Sequence, residues 1–208
     1  MKPNATLALT PGVGTSVAVH EVDGQPYEVS MAADARGHIL GTLDTFVAWF
    51  PWTVGVAAAR TTHLDLFNAV GSGKVVRVRR IIPAPDLATA VTGLGIRFEL
   101  IKTSAVGTGG TAITPRPMDS TNAALPAQIT ARQKPSGGAT TAFLLSGFAL
   151  HGEETHAGSQ LMVSANVIPT DPAAQTLVLR EGEGCKVDQV TSSIVINVGF
   201  VVVFTVES

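Results

Sequence analysis

Three observations predict an all-β chain: a β-sandwich, jelly-roll and Greek-key in type, with an extended amino-terminal arm. The run Thr191 to Glu207 is dominated by Val, Ile, Phe and Thr, residues that favour pleated, half-buried backbone. Short segments of strict apolar–polar alternation recur along the chain and are separated by Gly, Pro and Ser turns. Neither an amphipathic stretch of helical period nor an internal repeat of fixed length interrupts them, which argues against a helical domain, a propeller or a solenoid. Long crossing loops between the strands favour Greek-key over meander connections.

The chain has 208 residues, 45% of them apolar, enough to fill one substantial core. Only 14% are charged, about half the usual share of a soluble domain, and a surface so poor in charge suggests burial against neighbours. A formal charge of -2 gives no basic footprint for nucleic acid. Cys185 stands alone, so an intrachain disulfide scaffold is excluded and intracellular folding fits. The first residues lack an apolar segment long enough for a signal peptide before Pro11 and Gly12. The carboxy-terminal run is broken by Asn197 and Gly199, and is no membrane helix.

Along the chain, Val19 to Val29 reads as a hairpin around Asp23-Gly24. Thr45-Phe-Val-Ala-Trp-Phe-Pro-Trp52 crowds both tryptophans beside Pro51, and is expected to be a loop or arm with a large apolar contact area. Residues 1–53 are therefore expected to form an amino-terminal arm and hairpin, and residues 54–208 the sandwich. Within the latter, Thr62 to Asn68 and Lys74 to Ile82 alternate around Gly71-Ser-Gly73 and read as a hairpin that Pro83 and Pro85 stop. Gly95 to Lys102 is a third strand, with Ile96, Phe98 and Leu100 on one face. Thr103 to Pro117 is rich in Gly, Thr, Ser and Pro and reads as a long surface loop. Further strands are expected at about 126–133, 139–150, 159–168, 175–181 and 184–190, with turns at Gln133 to Gly138 and Arg180 to Gly184.

Chemistry-bearing motifs are few. Gly71-Ser-Gly-Lys74 suggests a phosphate loop, but Asn68 and Val75 stand where the motif needs Gly and Ser or Thr, and a strand follows rather than a helix. His151-Gly-Glu-Glu-Thr-His156 has the wrong spacing for the helical zinc motif and reads more simply as a solvated loop. His20, His38 and His63 are isolated, Cys185 has no visible base, and no nucleophile elbow is present. No catalytic residue, cofactor site or metal site is assigned, and enzyme activity is not expected. Arg77 and Arg79 share a face of the basic stretch Lys74 to Arg80; the plain reading is a solvated sheet face, the sharper one a match for an acidic protein patch.

At Asn68-Ala-Val-Gly-Ser-Gly-Lys-Val-Val-Arg-Val-Arg-Arg-Ile81 and Leu177-Val-Leu-Arg-Glu-Gly-Glu-Gly184, the chain resembles virion structural proteins of tailed bacteriophages. In their β-sandwich head decoration and surface proteins, an Asn-x-x-Gly-Ser-Gly-Lys hairpin and a Leu-x-Pro-Gly-Glu-Gly-like turn recur. The first motif fits closely; the second departs at Glu181, and neither is catalytic. The resemblance extends loosely over residues 55 to 206. It implies a capsid decoration or cement protein in the virion, assembled in the host cytoplasm. Its expected partners are the major capsid protein or other virion proteins and its own copies, with a trimer favoured, and neither nucleic acid nor a membrane. Interface candidates are Trp49, Phe50, Trp52, Arg77 and Arg79, since aromatic and arginine side chains dominate binding hot spots. Two rivals stay open: a tail or fibre receptor-binding module reading through the 103–117 loop, and a carbohydrate-active enzyme on the same jelly roll.

Overall fold

The alternating segments become strands, and among the described residues there is no helix. The computed structural model describes residues 15–22, 25–32, 44–86, 95–137, 139–151, 166–168, 176–190 and 197–207. The chain divides into two compact units, Met1–Leu43 and Asp44–Ser208. In the first, β1 (Thr15–Val22) and β2 (Gln25–Ala32) pair antiparallel with Val22 opposite Gln25. This is the expected hairpin; Asp23 and Gly24 themselves lie outside the described residues.

The second unit contains β3 (Asp44–Val54), β4 (Thr61–Asn68), β5 (Val75–Asp86), β6 (Gly95–Thr103), β7 (Thr111–Ile113), β8 (Arg116–Pro117), β9 (Ile129–Gln133), β10 (Thr141–His151), β11 (Leu177–Leu179), β12 (Glu183–Gln189) and β13 (Asn197–Glu207). They form a six-stranded sheet, β10-β6-β12-β4-β9-β7, and a five-stranded sheet, β11-β5-β13-β3-β8. The two antiparallel sheets pack face to face as a β-sandwich. Phe46, Phe50, Phe200 and Phe204 from one sheet meet Leu64, Leu66, Phe98 and Val187 from the other in a continuous core. Phe98 and Phe200 touch edge to face with centroids 5.9 Å apart, a favourable geometry for aromatic rings. The valine-rich carboxy terminus becomes β13, the centre of its sheet, between β5 and β3.

Four expectations are corrected. The boundary at 53/54 falls inside β3: residues 44–54 belong to the sandwich, and Thr45 to Trp52 is a strand rather than a loop or arm. Phe46, Ala48 and Phe50 alternate into the core, a period-2 signal hidden because the intervening Val47 and Trp49 are apolar too. The Gly71-Ser-Gly73 turn does not join paired strands, since β4 and β5 lie in different sheets; it is a corner between layers. β5 also continues through Pro83 and Pro85 to Asp86. Ile81 directs its N–H to Asn166 Oδ1 and its carbonyl to Val167, away from β13. Alternation aims the N positions of residues 83 and 85 the same way, where no β13 hydrogen bond is lost to proline. Finally, the 103–117 segment contributes β7 and β8 to the sheets as well as loop. Of the strand expected at 159–168 only residues 166–168 are described.

Candidate functional site

All five interface candidates lie on the five-stranded sheet, but they do not form one patch. Phe50 points inward and is 1% exposed, a core residue and not an interface anchor. Its parity with Phe46 and Ala48 required this once β3 formed. Trp49 points outward and is half-buried, while Trp52 is 52% exposed.

The two indoles meet edge to face with centroids 5.1 Å apart, although residues three apart in a regular strand face opposite ways. A bulge resolves this: Phe50 pairs with Phe200 and Thr53 with Val198, so Pro51 and Trp52 stand against Gly199 alone. A Cβ on Gly199 would lie 2.7 Å from Trp49 Cη2 and 2.9 Å from the Phe50 carbonyl oxygen. The glycine that interrupts the valine run is therefore the seat on which the Trp49 ring lies.

The outer face continues in register across β13. Trp49 is opposite Val201, which is opposite Ile82, and Val47 is opposite Val203, which is opposite Arg80. Sequence reading did not single out Val47, Val201, Val203 or Ile82, although alternate positions of the valine run had to face outward. At the other end of the face, Arg77 Nε is 2.6 Å from Glu207 Oε1, and Arg79 Nε donates to Thr205 Oγ1 at 3.3 Å. Both arginines share the outer face, as alternation requires, and both are engaged with the neighbouring strand. The face thus runs from an aromatic and aliphatic end to an arginine end, chemistry suited to covering by a protein surface.

Other groups with chemical potential have structural occupations. His63 is buried against Phe98 and Phe200, with ring centroids 5.7 and 5.9 Å away. Its Nε2 lies 3.2 Å from Gln189 Oε1 and its Nδ1 3.1 Å from Thr53 Oγ1, and desolvation lowers its pKa to about 4. The Cys185 thiol is fully buried, and desolvation pushes it far above the usual range; it is no ready nucleophile. Asp65 lies beneath the loop after β6, where Oδ2 accepts the Gly107 N–H at 2.7 Å and Oδ1 has no partner. Desolvation raises it to about 6, opposed by the Gly107 bond and by the charges of Lys186 and Arg132. Asp188 accepts from Thr62 Oγ1 and pairs with Lys186 Nζ at 3.1 Å.

Three amides of the Gly71-Ser-Gly-Lys74 corner are already taken: Ser72 N–H by the Ala69 carbonyl, Gly73 N–H by Glu181, and Lys74 N–H by Ser72 Oγ. That is a turn and not a phosphate cradle. His151 ends β10, and residues 152–156 lie outside the described residues. Among the described residues no three His, Cys, Asp or Glu side chains gather as a metal site would need. No protein-family model matches the chain, and neither a curated protein nor a solved structure matches it.

Proposed function

We propose that this chain is a non-enzymatic virion structural protein of the tailed-phage decoration type. It attaches to the capsid surface as a homo-oligomer, with a trimer the expected state. The observation that carries the reading is Trp52, 52% exposed at the rim of the sandwich and steadied edge to face by Trp49. A large rigid ring held in place but left open loses little rotamer freedom on docking, which makes it an efficient anchor. Val54 and Val56, 46% and 49% exposed, extend the apolar contact beside it.

Connectivity supports the same reading. The strands β3, β4, β5, β6, β10, β11, β12 and β13 fall into two quartets, β3-β13-β5-β11 and β4-β12-β6-β10, with the last strands inserted between the first. We read this as two nested Greek keys, a jelly roll, an architecture used by viral capsid and lectin domains. Fold alone does not assign function; the Trp52 surface, the low charge and the motifs at Asn68 and Leu177 point to assembly.

Mass-spectrometric copy counting on purified particles, with light scattering of the isolated protein, tests the proposal. Many copies per particle and a closed oligomer are expected. A few copies would transfer the protein to the tail, and its absence from particles would remove the virion reading.

A further inference from the structure

Where the two sheets part, a crevice of about 540 Å³ opens between β10, at one edge of the six-stranded sheet, and β11, at one edge of the five-stranded sheet. Its volume is in the range of small-molecule sites. Leu100, Leu145, Ile168 and Leu177 line it, and Lys102, Arg180 and Glu183 share its wall.

Among the described residues the charges there are not balanced. Glu183 is saturated: Oε1 pairs with Lys102 Nζ at 2.9 Å, and Oε2 accepts the main-chain N–H of Arg180 at 2.8 Å. One carboxylate thus answers two cations, and the Arg180 guanidinium makes no hydrogen bond to the described residues. Thr176 Oγ1, also on the wall, is buried and has no partner. A buried hydroxyl left unpaired costs free energy that a ligand acceptor would recover.

We propose that this crevice binds an amphipathic monoanion, a medium-chain carboxylate. Its chain lies along Leu100, Leu145 and Leu177, and its carboxylate is held by Arg180 and Lys102 with the Thr176 hydroxyl as a further donor. One net positive charge above an apolar wall selects a singly charged head over a neutral or cationic one. The site shares no residue with the Trp52 surface, so its test is independent of the docking proposal.

Dodecanoate is the probe, titrated calorimetrically into the full chain below its micelle concentration, with dodecanol and dodecyltrimethylammonium as head-group controls. Saturable binding of one dodecanoate per chain is expected, with both controls weaker by roughly tenfold or more, the scale of hydrogen bonds to a charged group. Arg180→Ala should weaken dodecanoate by a similar factor while leaving dodecanol unchanged, and Arg180→Lys should restore most of the loss. Urea midpoints of the variants establish that each is folded. Adsorption without saturation, dodecanol binding as tightly as dodecanoate, or an affinity indifferent to Arg180→Ala would each overturn the proposal.

Discussion

The carboxylate of Glu181, in the turn between β11 and β12, accepts the main-chain N–H of Gly73, in the turn between β4 and β5. Both turns carry the chain from one sheet to the other, and further bonds lock them together. Gly182 N–H donates to the Asn68 carbonyl at 2.8 Å, and Asn68 Nδ2 donates to the carbonyls of Lys74 and Leu179. The two sequence motifs that carry the phage resemblance are therefore halves of one corner. Glu181, the position where the second motif departs, supplies the acceptor that joins them. Gly73 has φ +63°, a left-handed conformation that glycine adopts without strain.

Replacing Glu181 by Ala removes this acceptor from an exposed corner, so a loss of about 1 kcal/mol is expected. Glu181→Gln, which keeps a carbonyl oxygen, should lose less. Urea unfolding reads both, and equal losses would show that charge rather than the hydrogen bond holds the turns together.

Asn68 is fully buried and serves two carbonyls through one amide nitrogen. Asn68→Ala removes the donor that the two carbonyls share and should cost about 2 kcal/mol. Asn68→Asp should cost more at neutral pH, because a carboxylate cannot donate and its charge would be buried beside carbonyl oxygens. A variant Asp no worse than Ala in equilibrium unfolding would refute this account of the corner.

Local alternation made β4 and β6 legible, while β9, β10 and β12 were legible as β-rich stretches between Gly, Pro and Ser turns. β3 was not, because Val47, Trp49 and Trp52 fill the outward positions with apolar residues and hide the period. The assignment of Phe50 failed for the same reason: a cluster of aromatics in sequence does not say which ring faces in. The bulge opposite Gly199, which turns Trp52 outward beside Trp49, is a property of pairing between segments far apart in the chain. Asp65 and Lys186 were invisible likewise, as they become neighbours only when β4 pairs with β12.

Burial shifts two groups in opposite directions. Asp65, raised to about 6, has an unfolded value near 3.9, while His63, lowered to about 4, has an unfolded value near 6.5. The folded chain keeps a proton on Asp65 that the unfolded chain has released. Its stabilising contribution is full below about pH 4 and is lost as pH rises through about 6. His63 acts the other way: the unfolded chain gains a proton that the folded chain refuses, so stability present above about pH 6.5 is lost on acidification towards pH 4. Each contribution is on the order of 3 kcal/mol, and they oppose one another over the same window. Asp65→Asn should leave the His63 contribution uncompensated, so the variant falls progressively behind the natural chain between pH 6 and 4. Urea unfolding at intervals of pH measures the difference, and a flat difference would mean that Asp65 does not titrate there.

Cys185 is fully buried beneath paired strands, and its thiol is held protonated by desolvation. Only the thiolate attacks a disulfide reagent. The native chain should therefore resist Ellman's reagent and react only over the denaturant range in which circular dichroism reports unfolding. Stoichiometric labelling of the folded protein would contradict the buried placement of β12.

The division of labour between Phe50 and Trp52 gives the sharpest test of the proposed docking surface. Phe50 lies within the core, so Phe50→Ala should cost about 3–5 kcal/mol through lost burial and the cavity left behind. Trp52 keeps half its surface open, and Trp52→Ala should lower stability by under about 1 kcal/mol. Trp49→Ala should fall between them, because that ring covers the backbone at Gly199. Attachment to shells, measured by co-sedimentation, should follow a different order. Trp52→Ala should weaken it most, since it removes the large exposed ring that a partner would desolvate. Arg77→Ala should change it little, because Arg77 is committed to Glu207 within its own sheet. If Trp52→Ala instead lowers stability as far as Phe50→Ala and leaves co-sedimentation intact, the ring is a plug for the rim of the sandwich, and the docking role must move to another face.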